Sequence, residues 1–228
     1  MINYTLTRAR RKTLALYVRN GAVEVRAPLK ISKAEIERFV ASKKRWIEIK
    51  LTGSNEQMLQ RKNFRLYYGG YVTYCGKLYL IAAKEGNLRG FDGKQFFMPP
   101  DLSPEQIKTA CVQIYRNLAK HILTDKTFAF AKRMAVNPAT VKINGAKTRW
   151  GSCSVRRNIN FSWRLVMADE EIIDYVVVHE LAHIKEMNHS ARFWAIVENI
   201  LPDWRVKKMK LKDLQRRLSG EDWKIKKM

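Results

Sequence analysis

The sequence predicts an α+β protein, with a β-rich region over residues 1–100 and a mainly helical region with a short sheet over residues 101–228. Two observations predict it. Alternating apolar positions flank an Asn20-Gly21 turn near the start, the pattern of paired strands. Beyond Pro99-Pro100 the apolar residues recur at helical spacing instead.

In order, Thr13–Val18 and Ala22–Arg26 form the hairpin, and Pro28 ends the second strand. Ser32 and Glu35 make a capping box, followed by a helix whose apolar positions (Ile36, Phe39, Val40, Ile47, Leu51) carry it to about Leu51. Strands follow at Gly70–Tyr74, Lys77–Ala82 and Gln95–Met98, punctuated by glycines. Ser103, Pro104 and Gln106 start a long helix with an N-cap, a proline at N1 and a glutamine at N3. Its apolar stripe runs through Ile107, Cys111, Ile114 and Leu118, and His121 continues it as a packing residue. Val141–Ile143 and Ile159–Trp163 read as strands joined by the segment 144–158. Helices are expected from Asp169 to about Met187, from Ser190 to Ile200 and, strongly basic, from Trp204 to Leu218.

Composition bounds the function. With 228 residues, 46% of them hydrophobic and 11% aromatic, the chain is not a disordered basic protein. No apolar run reaches the roughly 18–20 residues of a membrane span, and no secretory signal is visible. Three scattered cysteines make no disulfide framework and suit a reducing cytoplasm. The formal net charge of +23 suggests contact with an anionic partner, nucleic acid or nucleotide, through a basic surface. The charge is uneven: residues 169–204 hold 8 acidic and 2 basic residues, and three of the four histidines.

That acidic stretch contains His179-Glu180-Leu181-Ala182-His183. Positions i and i+4 lie one turn apart on one helix face, so the two imidazoles can aim at one metal ion. Glu180 can then reach a water at that ion and act as general base, the arrangement of a zinc hydrolase. A catalytic zinc takes a third protein ligand, and His189 lies ten residues beyond His179, past a break for which Asn188 is suited. Glu198 and Asp203 are rivals, but neutral imidazole is the commonest metal ligand. A single histidine on so apolar a helix would read as a core residue; two in register, with a glutamate between them and a third nearby, do not. Cys153 is isolated and reads as a buried thiol.

The residues Arg149-Trp150-Gly151-Ser152-Cys153-Ser154, Trp163-Arg164-Leu165, Asp174 to His183, Asn188-His189-Ser190 and Phe193-Trp194 resemble the YgjP-like metallopeptidase family, which is related to the SprT-like zinc proteases. Arg10–Leu14, Val25–Pro28 and Lys44–Ile47 resemble its N-terminal region. The resemblance implies a zincin-like metallopeptidase domain over residues 101–228, zinc on His179, His183 and His189, Glu180 as catalytic base, and a polypeptide substrate. Ser162 and Ala168 depart from the family's usual Asn and Pro, and Glu186 occupies the place of the metzincin glycine. A glutamate takes up a left-handed turn less readily than glycine, so the path to His189 must differ.

Four further readings bear on substrate and mechanism. A peptide could pair with an edge strand near Val141–Ile143 or Ile159–Trp163. Arg149, Arg164 and Tyr175 are candidates for holding the oxyanion. The same chemistry could instead cleave a phosphoanhydride of a nucleoside triphosphate, although no GxxxxGK[ST] loop is present. A nucleic-acid-binding protein with a structural zinc, or a protease recruited to nucleic acid, is the remaining alternative. It rests on the basic and aromatic stretch Arg61–Tyr68. A structural zinc normally has four protein ligands, and only three good ones are visible.

Overall fold

The computed structural model describes residues 2–225 as six α-helices and ten strands in three small sheets, a mixed α+β architecture. The chain divides into two compact units. One comprises residues 2–64 with Arg217–Asp222, the other residues 65–216 with residues 223–225, so Pro99-Pro100 lies inside the second unit.

In the first unit, β1 (Thr5–Ala9), β2 (Ala15–Arg19) and β3 (Ala22–Pro28) form a sheet of order β1-β3-β2, with β1 parallel and β2 antiparallel to β3. Asn20 and Gly21 both adopt positive φ (49° and 73°), as the tight hairpin turn demands. The Ser32–Glu35 capping box starts α1 (Lys33–Ser42) as expected. The helix expected to run unbroken to Leu51 instead breaks at Lys43 and resumes as α2 (Lys44–Asn63). Val23, Val25, Ala27, Ile36, Val40 and Ile47 bury one face of β3 against the helices. Past Ile47 α2 buries nothing fully, so apolar spacing could not mark its extent.

The second unit holds β4 (Tyr71–Tyr74), β5 (Lys77–Ala83), β6 (Gly90–Phe91) and β7 (Gln95–Met98), in the order β4-β5-β7-β6. The long α3 (Pro104–Met134) starts at a complete Ser103–Gln106 capping box and ends at Ala135, in left-handed conformation. His121 is exposed, so it is not the packing residue the stripe suggested; the buried face of α3 turns to Tyr115, Ala119 and Leu123. The third sheet comprises β8 (Thr140–Asn144), β9 (Gly151–Cys153) and β10 (Asn158–Ser162), ordered β8-β10-β9. Ser162 then caps a 3-10 turn, Trp163–Met167, that feeds α4 (Glu170–Ala182), α5 (Ala191–Ile200) and α6 (Trp204–Ser219). No helix among the described residues is long and apolar enough to cross a membrane.

The start of α4 is held from two sides. Lys126 on α3 pairs with Asp174 at 2.7 Å and Glu170 at 3.4 Å. The β4–β5 turn, Cys75-Gly76, has positive φ at both residues, and the Cys75 amide donates to the Val166 carbonyl. A Cβ on Gly76 would collide with the Asp169 carboxylate, so only glycine lets this turn approach the helix start.

Candidate metal centre

Helix α4 carries the first two histidines. Glu170 and Glu171 fill its first turn, where the helix dipole favours carboxylates. Ile172, Ile173, Val176, Val177, Val178 and Leu181 bury nearly its whole circumference. It ends at Ala182, five residues before the expected Met187, with His183 as its C-cap in helical conformation (φ −63°, ψ −19°). Both imidazoles therefore keep the i, i+4 register. The earlier ending gives the chain room to return through Asn188, and Glu186 takes no positive φ on the way. Ser190 caps α5 by accepting from the Phe193 amide, which fixes the residue after His189.

The three histidines meet as the spacing predicted. One nitrogen from each of His179, His183 and His189 lies within 4.8 Å of the others, and the Nε2 atoms of His179 and His189 stand 3.0 Å apart. Phe193 packs beneath all three rings, at centroid distances of 4.6–4.9 Å. Trp194 stacks on His189 and in turn on Trp204. Glu198 pairs with Arg205 and Asp203 with Lys207, so neither rival carboxylate joins the cluster.

The donor set fits one divalent cation. Burial above all, then the neighbouring His183 and His189, pushes His179 down to about 3, keeping it the neutral imidazole that ligates metals. His183 is lowered too, chiefly by burial. Its Nδ1 lies 3.2 Å from the Glu186 carbonyl, and donation there leaves Nε2 free to ligate. Three imidazoles on one tetrahedral ion would place their nitrogens about 3.3 Å apart, and those of His179 and His189 stand at 3.0 Å. His179 Nδ1 is buried without a hydrogen-bond partner, so its ring is held by packing.

Glu180 is buried, and burial pushes its carboxyl up to about 8; a cation beside it would favour the ionised form. Strand β9 crosses directly over it: a Cβ on Gly151 would lie 2.5 Å from Glu180 Oε1. This glycine escaped sequence reasoning, although it stands within Arg149-Trp150-Gly151. Burial mainly, with Glu180 nearby, raises the Cys153 thiol to about 11; it is half-buried and outside the cluster.

Beside the histidines opens a cleft of about 350 Å³ lined by Trp150, Gly151, Tyr175, Glu180, Lys208 and Lys212, among others. Of the three oxyanion candidates, only Tyr175 lines it, its ring centroid 5.9 Å from that of His179. Burial first, and Glu180 second, raise its phenol to about 12, so it remains a donor. Arg149 is exposed and does not line the cleft. Arg164 is buried and donates to the Gly145 carbonyl at 3.0 Å, holding the loop that leads to the cleft wall. Strand β10, which includes Ile159–Ser162, is the centre of its sheet and has no free edge; the edge beside the cleft belongs to β9. In the Arg61–Tyr68 stretch, Arg61 and Lys62 end α2, Leu66 is buried, and the Tyr68 hydroxyl donates to the Pro99 carbonyl.

A helix bearing two histidines one turn apart, with a buried glutamate between them and a third histidine closing on the pair, is the arrangement of a metallopeptidase-type hydrolase. The family model described as YgjP-like, metallopeptidase domain, matches residues 12–214, and the chain belongs to that family. Among solved structures it is similar to the metallopeptidase zymogen abylysin of Pyrococcus abyssi, with 24% identity, 44% of this chain and 98% of that chain covered, and a TM-score of 0.38. It is also similar to the metallopeptidase zymogen jannalysin of Methanocaldococcus jannaschii, with 24% identity, 42% and 96% coverage, and a TM-score of 0.36. No curated protein matches the sequence.

Proposed function

We propose that the protein is a zinc-dependent metallopeptidase, with zinc held by His179, His183 and His189 and Glu180 as general base. The observation that carries this reading is the convergence of three imidazole nitrogens within 4.8 Å beside a buried glutamate. Zinc bound there supplies Lewis acidity toward a carbonyl oxygen and acidifies water. Glu180 takes the proton from the attacking water and later delivers it to the leaving amine. Its apolar surroundings raise its proton affinity and a cation beside it lowers it, and a group that must both accept and donate works between those two pulls. Tyr175 donates to the developing oxyanion. A peptide lies extended along the free edge of β9, whose residue Gly151 leaves room above Glu180.

The test is incubation of the zinc-loaded protein with unfolded polypeptides, followed by mass spectrometry for new chain termini. New termini are expected with the wild type, and Glu180→Gln should reduce their rate by about 10³-fold or more. Absence of cleavage across a broad panel contradicts the peptidase reading. A second reading, hydrolysis of a nucleoside triphosphate, is favoured by one feature, the two lysines in the cleft wall.

A further inference from the structure

Helix α6 is rich in cations, and most of them are accounted for. Arg205 pairs with Glu198, Lys207 with Asp203 and Glu171, Lys210 with Glu171, and Arg216 with Asp213. Lys208 and Lys212 differ. They lie one turn apart, both line the cleft beside the histidines, and neither has a carboxylate partner among the described residues. Among the described residues Glu180 is the only acid lining that cleft. Lys208 is not a loose surface chain: its Nζ sits 4.6 Å from the Trp194 ring centroid and 5.5 Å from that of Trp204. Trp194 is the same ring that stacks on His189, so the lysine is fixed to the wall of the metal centre.

We propose that Lys208 and Lys212 form an anion subsite of the cleft, which selects substrates carrying a carboxylate or phosphate oxyanion next to the bond that is cleaved. Two ammonium groups at i, i+4 present their donors to one region of space, and their mutual repulsion is relieved when an anion enters between them. The apolar lining residues Trp150 and Leu211 lower the local dielectric and strengthen that attraction. The charge on Lys208 also helps to hold His179 neutral, after burial and the two other histidines. This subsite rests on the reading of the three histidines as the centre where hydrolysis occurs, and it specifies which substrates reach that centre.

The test uses the full-length, zinc-loaded chain in its Glu180→Gln form, so that binding is measured without turnover. Two fluorescent peptides identical except for Glu-to-Gln exchanges form one arm; a nucleoside triphosphate and its uncharged nucleoside form the other. The peptide or nucleotide arm should show about tenfold tighter binding of the charged member, the scale of one charge-assisted hydrogen bond. Lys208→Met with Lys212→Met keeps the aliphatic stems, and should bring that ratio to about one. Lys208→Glu with Lys212→Glu should reverse it in favour of the neutral member. Circular dichroism checks folding, and the exposed single variant Lys212→Met should lower the ratio about threefold if the double variants misfold. Equal binding of charged and neutral members in both arms overturns the subsite, as does a ratio that survives the Met variants. Lysine-dependent discrimination confined to the nucleotide arm keeps the subsite and assigns its ligand as phosphate. With no peptide cleavage by the wild type, that result rejects the peptidase reading alone.

Discussion

Helices α4 and α6 line the same cleft and build it by opposite means. Helix α4 is apolar nearly all round, and its acids are tied up: Glu170 and Asp174 with Lys126, Glu171 with Lys207 and Lys210. Among the described residues only Glu180 of this helix is left with neither a cation nor a hydrogen-bond donor, and it is buried. Helix α6 is polar, buries a strip of Trp204, Leu214 and Leu218, and sets at the cleft two lysines that have no carboxylate partner among the described residues. The acidic balance of residues 169–204 therefore describes pairing between elements.

The comparison can be broken first on the α4 side. Gly151→Ala places a methyl group against Glu180 and should lower kcat by about 10²-fold, the cost of a misplacement near 1 Å, while zinc content stays unchanged. Steady-state kinetics beside metal analysis would check it; an unchanged kcat would show that Glu180 is not held under β9. Truncating the core face of α4 by Ile173→Ala should cost about 2–5 kcal/mol in denaturant unfolding. Truncating the exposed Lys212 on α6 should change stability by less than about 0.5 kcal/mol. Equal costs would erase the distinction between a helix set by burial and one set by its surface. Between these falls Ser190→Ala, which removes the cap of α5 and should cost about 1 kcal/mol while weakening zinc retention through His189 and Phe193.

A pH profile sharpens the same contrast. In the metal-free protein the lowered His179 contributes stability above its ordinary value of 6.5, lost as pH falls from there toward about 3. The raised Glu180 contributes below its ordinary value of 4.5, and that contribution is lost as pH rises toward about 8. Between about 4.5 and 6.5 the lowered His179 and His183 oppose Glu180, and above 6.5 Glu180 acts without them, so Tm should fall from pH 6.5 to 8. Zinc should raise Tm most at the alkaline end, and Glu180→Gln should remove the alkaline fall. A Tm that climbs steadily through pH 8 in the metal-free wild type would contradict the buried, unpaired state of Glu180. A last check concerns the thiols. Burial raises Cys75 and Cys153 to about 11, and alkylation at neutral pH should run about a hundredfold slower than for a free cysteine.

Much of the site was legible because its signals are local. The i, i+4 histidines and the Ser190 cap need only helix geometry, and His189 closes on the pair where its spacing placed it. The end of α4 was not legible, since Ile184 and Met187 continue the apolar pattern although the helix has stopped, and Met187 is exposed. Strand β9 has three residues and no alternation, and β1 is exposed along its length, so neither carries a periodic signal; both form because a neighbouring strand offers a ladder. Gly151 and Gly76 matter through contacts with residues 29 and 93 positions away, which no window along the chain can detect.

The most direct test of the central claim is the zinc content of purified wild type, Glu180→Gln, His183→Ala and His189→Ala, each assayed for hydrolysis in parallel. About one zinc per chain is expected in the wild type and in Glu180→Gln, with hydrolysis only in the former, and both zinc and hydrolysis should be lost from the histidine variants. Full zinc in His183→Ala and His189→Ala, or hydrolysis that persists without it, would contradict the account.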